Sequence, residues 1–139
     1  VLKYEHDANA ASFGLEAVEK LNLNASSVFK TLVVSNELGK LAVAIVPVDT
    51  KLSEKKMAKA LGVKKVAMAQ ADAVMASTGY VLGGVSPLGQ KKSLPTVLDA
   101  TAEPQAVIYV SAGKRGLEVE LSPKDLVQLT RGKFAGIAI

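Results

Sequence analysis

The chain has 139 residues with 49% apolar side chains and a net charge of +4, enough for a sizeable core and too apolar for intrinsic disorder. No Cys and a single His exclude a disulfide framework and argue against a zinc or iron–sulfur site, so no metal or cofactor is expected. Aromatics at 4% are too few for nucleic acid held by base stacking, and no apolar run reaches the ~20 residues of a spanning helix; the composition fits a cytoplasmic protein.

Val1-Leu2-Lys3-Tyr4 reads as mid-strand, so an N-terminal segment is expected to precede it. Ser12 can cap a helix from about Gly14 to Leu21. Phe29–Val34 and the nearly all-apolar Leu41–Val46 read as a hairpin about Asn36-Glu37-Leu38-Gly39, ending at Pro47. Ser53 caps a short helix that stops at Gly62. Met57, Ala58 and Leu61 form its buried side, and Lys55, Lys56 and Lys59, followed by Lys64 and Lys65, are read as a solvated face. Val63–Met68 reads as a short strand and Asp72–Ser77 as a short helix. Tyr80-Val81-Leu82 reads as the end of a buried strand leading into a glycine loop. Val107–Ser111 and Leu117–Leu121 form a second hairpin about Gly113-Lys114-Arg115-Gly116. In its second strand Leu117, Val119 and Leu121 alternate with Glu118 and Glu120, which are read as one solvated face. Ser122-Pro123-Lys124-Asp125 starts a helix expected to run to Arg131 and stop at Gly132. The whole reads as one α+β domain over residues 1–139, a mixed, mainly antiparallel curved sheet flanked by short helices.

Conventional catalytic groups are scarce. His6, between Glu5 and Asp7, reads as a surface residue, and no carboxylate dyad is evident. Two features stand out. Gly83-Gly84-Val85-Ser86-Pro87-Leu88-Gly89-Gln90-Lys91-Lys92 can bring bare backbone N–H groups up to an anion, or can be a plain turn beside two solvated lysines. Lys30 is a charge at the head of an otherwise buried strand, either a strand-edge lysine reaching solvent or a functional cation.

Three ordered motifs, Phe29-Lys30-Thr31, Ser77-Thr78-Gly79-Tyr80 with Gly83 to Lys92, and Tyr109 to Leu117, resemble the YbaK family. These are freestanding relatives of the editing domain inserted in bacterial prolyl-tRNA synthetase. The similarity runs from Tyr4-Glu5-His6-Asp7 almost to the C-terminus, and Ser86-Pro87-Leu88-Gly89-Gln90-Lys91-Lys92 favours the YbaK branch over the alanine-editing one.

The resemblance implies hydrolysis of cysteine mischarged onto proline tRNA, in the cytoplasm and with prolyl-tRNA synthetase as a candidate partner. It also implies a cyclisation in which the cysteinyl thiol attacks its own ester, which needs positioning more than a base. On that reading Lys30 is the essential cation. Gly83, Gly84, Ser86 and Gly89 contact the terminal ribose and ester oxygen, and Tyr4, Ser111 and Glu118 line the pocket, Glu118 standing where some members have Asp. Lys91, Lys92, Lys114 and Arg115 are the implied phosphate contacts. A deacylase for alanine or another small residue on the same tRNA, and a non-catalytic tRNA- or synthetase-binding module, are the alternatives.

Overall fold

A computed structural model describes residues 2–3, 23–80, 85–90, 94–113 and 117–139. The helix expected at 14–21 lies outside them, as do Val81 and Leu82. Strand β1 (Leu2–Lys3) is followed by a 3-10 turn at Ala25–Ser27, capped by the Asn24 side chain, and by the hairpin β2 (Phe29–Asn36) and β3 (Leu41–Pro47). Asn36 Oδ1 accepts from Leu38 and Lys40 N–H groups in the connecting turn, and Gly39 takes φ +78°. Helix α1 (Glu54–Leu61) has the expected caps: Ser53 Oγ accepts from Lys56 N–H at 3.2 Å and Gly62 closes it at φ +72°. β4 (Val66–Met68) and α2 (Ala71–Thr78) follow.

After the glycine loop come β5 (Thr96–Asp99), β6 (Ile108–Ser111), β7 (Leu117–Leu121), α3 (Pro123–Thr130) and β8 (Lys133–Ala135). Five strands form one mixed sheet in the order β4-β2-β3-β5-β8, antiparallel on the β4 side and parallel from β3 to β8. An antiparallel sheet in the order β1-β7-β6 joins it through a parallel bridge between Val28 and Tyr109.

Both faces of β3 are covered, which explains its continuous apolar run. Ala42, Ala44 and Val46 pack with Met57 and Ala58 of α1 and with Ile137, while Val43 and Ile45 pack with Phe29, Leu98, Ile108, Val110 and Leu126 of α3. A smaller cluster joins Val33 to Val74 of α2 and Val85 of the glycine loop. α3 starts as expected at Ser122, but its cap is Arg131 at φ +53°, one residue before Gly132. Gly132 has another reason to be glycine: a Cβ there would lie 2.8 Å from the Thr96 carbonyl oxygen of β5.

Two strands escape the sequence reading. β5 ends in a buried carboxylate, and β8 is three residues long. Asp99 is 2% exposed, with Oδ1 accepting from the Ile137 and Ala138 N–H groups and Oδ2 from the Thr101 N–H and hydroxyl. Burial pushes its pKa up, but the bonds from Thr101, Ile137 and Ala138 outweigh it and hold the group below its ordinary value. Tyr80 differs from expectation: it is not in a strand but follows α2, which closes on Gly79 at φ +83°.

Candidate active site

Strand alternation turns Phe29 into the core and Lys30 to the other face of β2. There the Lys30 ammonium donates to the Thr50 carbonyl at 2.6 Å, a short charge-assisted bond. Thr50 sits in the turn that follows β3, where its N–H and hydroxyl both donate to the Pro47 carbonyl. Partial burial lowers the Lys30 pKa; Asp49 opposes that shift and Lys51 adds to it. Lys30 is therefore not a free surface lysine but a half-buried cation whose partner among the described residues is the Thr50 carbonyl.

Ser111 and Glu118 are cross-strand partners in the β6–β7 hairpin. Ser111 lies two residues beyond Tyr109 and Lys30 two beyond Val28, so both follow the single bridge at which the two sheets join. The expectation of a solvated Glu118–Glu120 face is corrected here. Glu120 is exposed, but Glu118 is only 6% exposed and its Oε2 has no partner among the described residues. Burial pushes the Glu118 carboxyl up to about 7. Tyr109, on the same face, is also raised, by burial first and by the Glu120 carboxylate that it bonds.

The described part of the glycine loop is closely packed. Val85, Ser86 and Pro87 are buried, Ser86 Oγ accepts from Leu88 N–H at 3.2 Å, and the Gln90 amide donates to the Ser86 carbonyl at 3.0 Å. Gly89 takes φ +64°, a conformation that favours glycine.

Tyr80, which the sequence offers within an apolar run and a resemblance motif but not as a site residue, ties this loop to the second hairpin. Its hydroxyl donates to the Leu88 carbonyl at 2.6 Å. Its ring lies so close to Gly113, in the β6–β7 turn, that a Cβ there would sit 2.4 Å from Cε1. Gly113 takes φ +100°, and its N–H donates to Ser111 Oγ at 3.1 Å. Tyr80 thus couples Ser86 and Gly89 to the turn that fixes Ser111.

Val85 packs on Val33, on the face of β2 opposite Lys30 by alternation, and the described bonds do not join Ser86 to Lys30. Tyr4, Gly83, Gly84, Lys91, Lys92, Lys114 and Arg115 lie outside the described residues. A hollow of about 410 Å³ beside Leu88 and Gly89 runs to Leu129 and Thr130 of α3, and the described residues that line it carry no titratable side chain. Among the described residues no three His, Cys, Asp or Glu side chains gather to hold a metal, and no helix is long and apolar enough to cross a membrane.

The arrangement offers a partly desolvated cation on one face of β2, a buried carboxyl near neutrality paired across the second hairpin with a hydroxyl, and, packed on the other face of β2, a glycine-containing loop that Tyr80 ties to that hairpin. That set suits the positioning of an ester carbonyl and its leaving oxygen.

The family model described as an aminoacyl-tRNA editing domain matches residues 8–129. The "Putative Cys-tRNA(Pro)/Cys-tRNA(Cys) deacylase EbsC" of Enterococcus faecalis is 44% identical over 137 residues, 97% of this chain and 83% of that protein. A proline–tRNA ligase of Trichlorobacter lovleyi is 35% identical over 99 residues, 71% of this chain but only 17% of the ligase. Among solved structures, hypothetical protein APE2540 superposes with a TM-score of 0.87 at 27% identity, covering 99% of this chain and 89% of that one. A structure described as "a putative trans-editing enzyme for prolyl tRNA synthetase" gives 0.85 at 24% identity over 97% of this chain and 84% of that one, which bears on the fold.

Proposed function

The chain belongs to the aminoacyl-tRNA editing domain family, and from that premise we propose that it removes cysteine from Cys-tRNA(Pro), with Lys30 as the cation that serves the reaction. An aminoacyl-tRNA deacylase corrects what a synthetase pocket cannot, because one small apolar group gives such a pocket only ~1–3 kcal/mol of discrimination.

The observation that carries the cysteine reading is the 44% identity to EbsC over nearly the whole chain. Lys30 fits it in chemistry. A thiol of pKa ~8.5 is a few per cent thiolate near neutral pH, and a nearby cation raises that share. The thiolate sulfur attacks its own ester carbon, the C–S bond forms, the bond from that carbon to the ribose oxygen breaks, and the ribose oxygen takes up a proton; water then opens the resulting four-membered thiolactone, breaking the new C–S bond to give free cysteine. Ser86, Gly89 and Ser111, with Tyr4, Gly83 and Gly84, are proposed to hold the terminal ribose and ester, with Glu118 in the pocket wall. Lys91, Lys92, Lys114 and Arg115 remain proposed phosphate contacts, and the charged proline tRNA, with or without its synthetase, is the proposed partner.

Glu118 favours a second reading. A buried carboxyl near 7 is suited to general-base work, so water could be the nucleophile and a thiol-free residue such as alanine a substrate. Deacylation of Cys-, Ala- and Ser-charged proline tRNA, together with S-methylated Cys-tRNA(Pro), separates the two. Cyclisation predicts release of cysteine alone and full resistance of the S-methylated ester. Release of alanine or S-methylcysteine at a comparable rate would establish water attack, and release of none would remove the deacylase assignment.

A further inference from the structure

The positive charge of this protein is concentrated in one segment. Residues 51–65 hold six lysines and one glutamate, a net +5 in a chain whose total is +4, so the remainder is net −1. Lys51, Lys55, Lys56 and Lys59 are all exposed on or just before α1, whose other side is buried through Met57 and Ala58.

This is not how a helix stabilises itself. Lys55 and Lys59 form a like-charge pair at i and i+4, and Lys55 and Lys56 lie in the first turn, where the helix dipole disfavours cations. Only Glu54 opposes them within the helix, and Asp49 is the nearest acid before it in sequence. The carbonyl end of α1 is already served by Lys133, which donates to Ala60. A local arrangement that works against its own element is the sort expected at a functional surface.

The same segment reaches the candidate site. The Lys30 ammonium is bonded to Thr50, one residue before Lys51. Leu52 and Lys51 are pinned by pairing to Ala138 and Ile139, and Lys56 Nζ donates to the Ala138 carbonyl at 3.2 Å. The basic face therefore begins beside the candidate cation and runs along α1 from Lys55 to Lys59, about 6 Å, the axial run of about two nucleotides in one strand at about 3.4 Å each.

We propose that the lysine face of α1, Lys51 through Lys59, docks the phosphodiester backbone of the tRNA whose charged end lies at Lys30. The proposal rests on the deacylase reading for its substrate. Helix α1 itself carries no large exposed apolar residue, and exposed Ile139, paired with Lys51, is a single apolar neighbour at one end of the face, so the face lacks the apolar centre of a protein interface and the wedge of a membrane-binding helix. Charge without apolar surface suits a phosphate backbone, which positions a nucleic acid without reading its sequence.

The test uses Lys55→Gln/Lys59→Gln, since Gln matches Lys in helix propensity and neither residue belongs to the proposed catalytic set. Two substrates are compared: full-length Cys-tRNA(Pro), and cysteinyl-adenosine, which keeps the ester and the ribose but has no stem. Expected for the variant on tRNA is a rise in KM of about tenfold, a salt slope smaller by about two, and unchanged kcat, with cysteinyl-adenosine turnover and Tm unaltered. An unchanged KM and salt slope on tRNA would overturn the proposal and leave the face to an acidic protein. If the parent releases cysteine from neither substrate, the deacylase reading fails. The surface is then judged by salt-dependent binding of uncharged tRNA, with about tenfold weaker binding by the variant expected and equal affinities overturning it.

Discussion

Lys30 and Glu118 each occupy an environment that favours their neutral form, and this has separable consequences. For Glu118 the ordinary value of 4.5 is raised to about 7 in the folded protein. The folded state therefore holds the proton more tightly than the unfolded chain. The Glu118 contribution to stability is greatest below about pH 4.5, falls as pH rises to about 7, and is level above that. Glu118→Gln should remove this contribution to the slope, leaving stability at pH 4 close to the parent's and raising it by about 3 kcal/mol at pH 8. Urea titrations at the two pH values check it, and parallel pH dependence in both proteins would contradict the burial of that carboxyl. Lys30→Met removes a cation whose burial is costly and which, among the described residues, bonds the Thr50 carbonyl. Its Tm should stay within about 3 °C of the parent's; a large fall would make Lys30 a structural residue. Lys30 was legible in sequence because it interrupts a buried strand. The burial of Glu118 was not, because hairpin alternation reports which face a residue shares and not what covers that face.

At the level of elements, the joint between the glycine loop and the second hairpin is the feature with most bearing on the site. Tyr80→Phe keeps the ring on Gly113 but removes the hydroxyl bond to Leu88. It should cost about 1 kcal/mol of stability and raise KM for the charged tRNA with little change in kcat, as expected of a positioning residue. Gly113→Ala should cost more, about 2 kcal/mol or above, because its Cβ would enter the Tyr80 ring at φ +100°. Denaturant unfolding of both variants, beside their kinetics, checks the order. The capped elements were readable: Ser53 with Gly62 and Ser122 with Pro123 mark helices α1 and α3 by local chemistry alone. β5 and β8 were not. They are four and three residues long and pair in parallel with distant strands, and the buried Asp99 at the end of β5 reads as a turn residue until its donors from Ile137 and Ala138 are in view.

Over the whole molecule, the order of three short motifs carried more functional information than any one of them. A glycine loop and a strand lysine each allow an uneventful explanation, and their spacing along the chain does not reveal that they approach β2 from opposite faces. The fold makes the second hairpin the connection: Tyr109 bridges to β2, and Gly113 receives the side chain that holds the loop. The net charge of +4 was uninformative as a total. It gains meaning only when the exposed face of α1 is seen to start beside Thr50. The most direct test of the account is single-turnover release of cysteine from Cys-tRNA(Pro) by the parent and by Lys30→Ala, with circular dichroism and Tm recorded for both. The parent should release cysteine, and the variant, folded, should be slower by about 100-fold or more. Release by Lys30→Ala at the parent rate, or none by the parent, would contradict it.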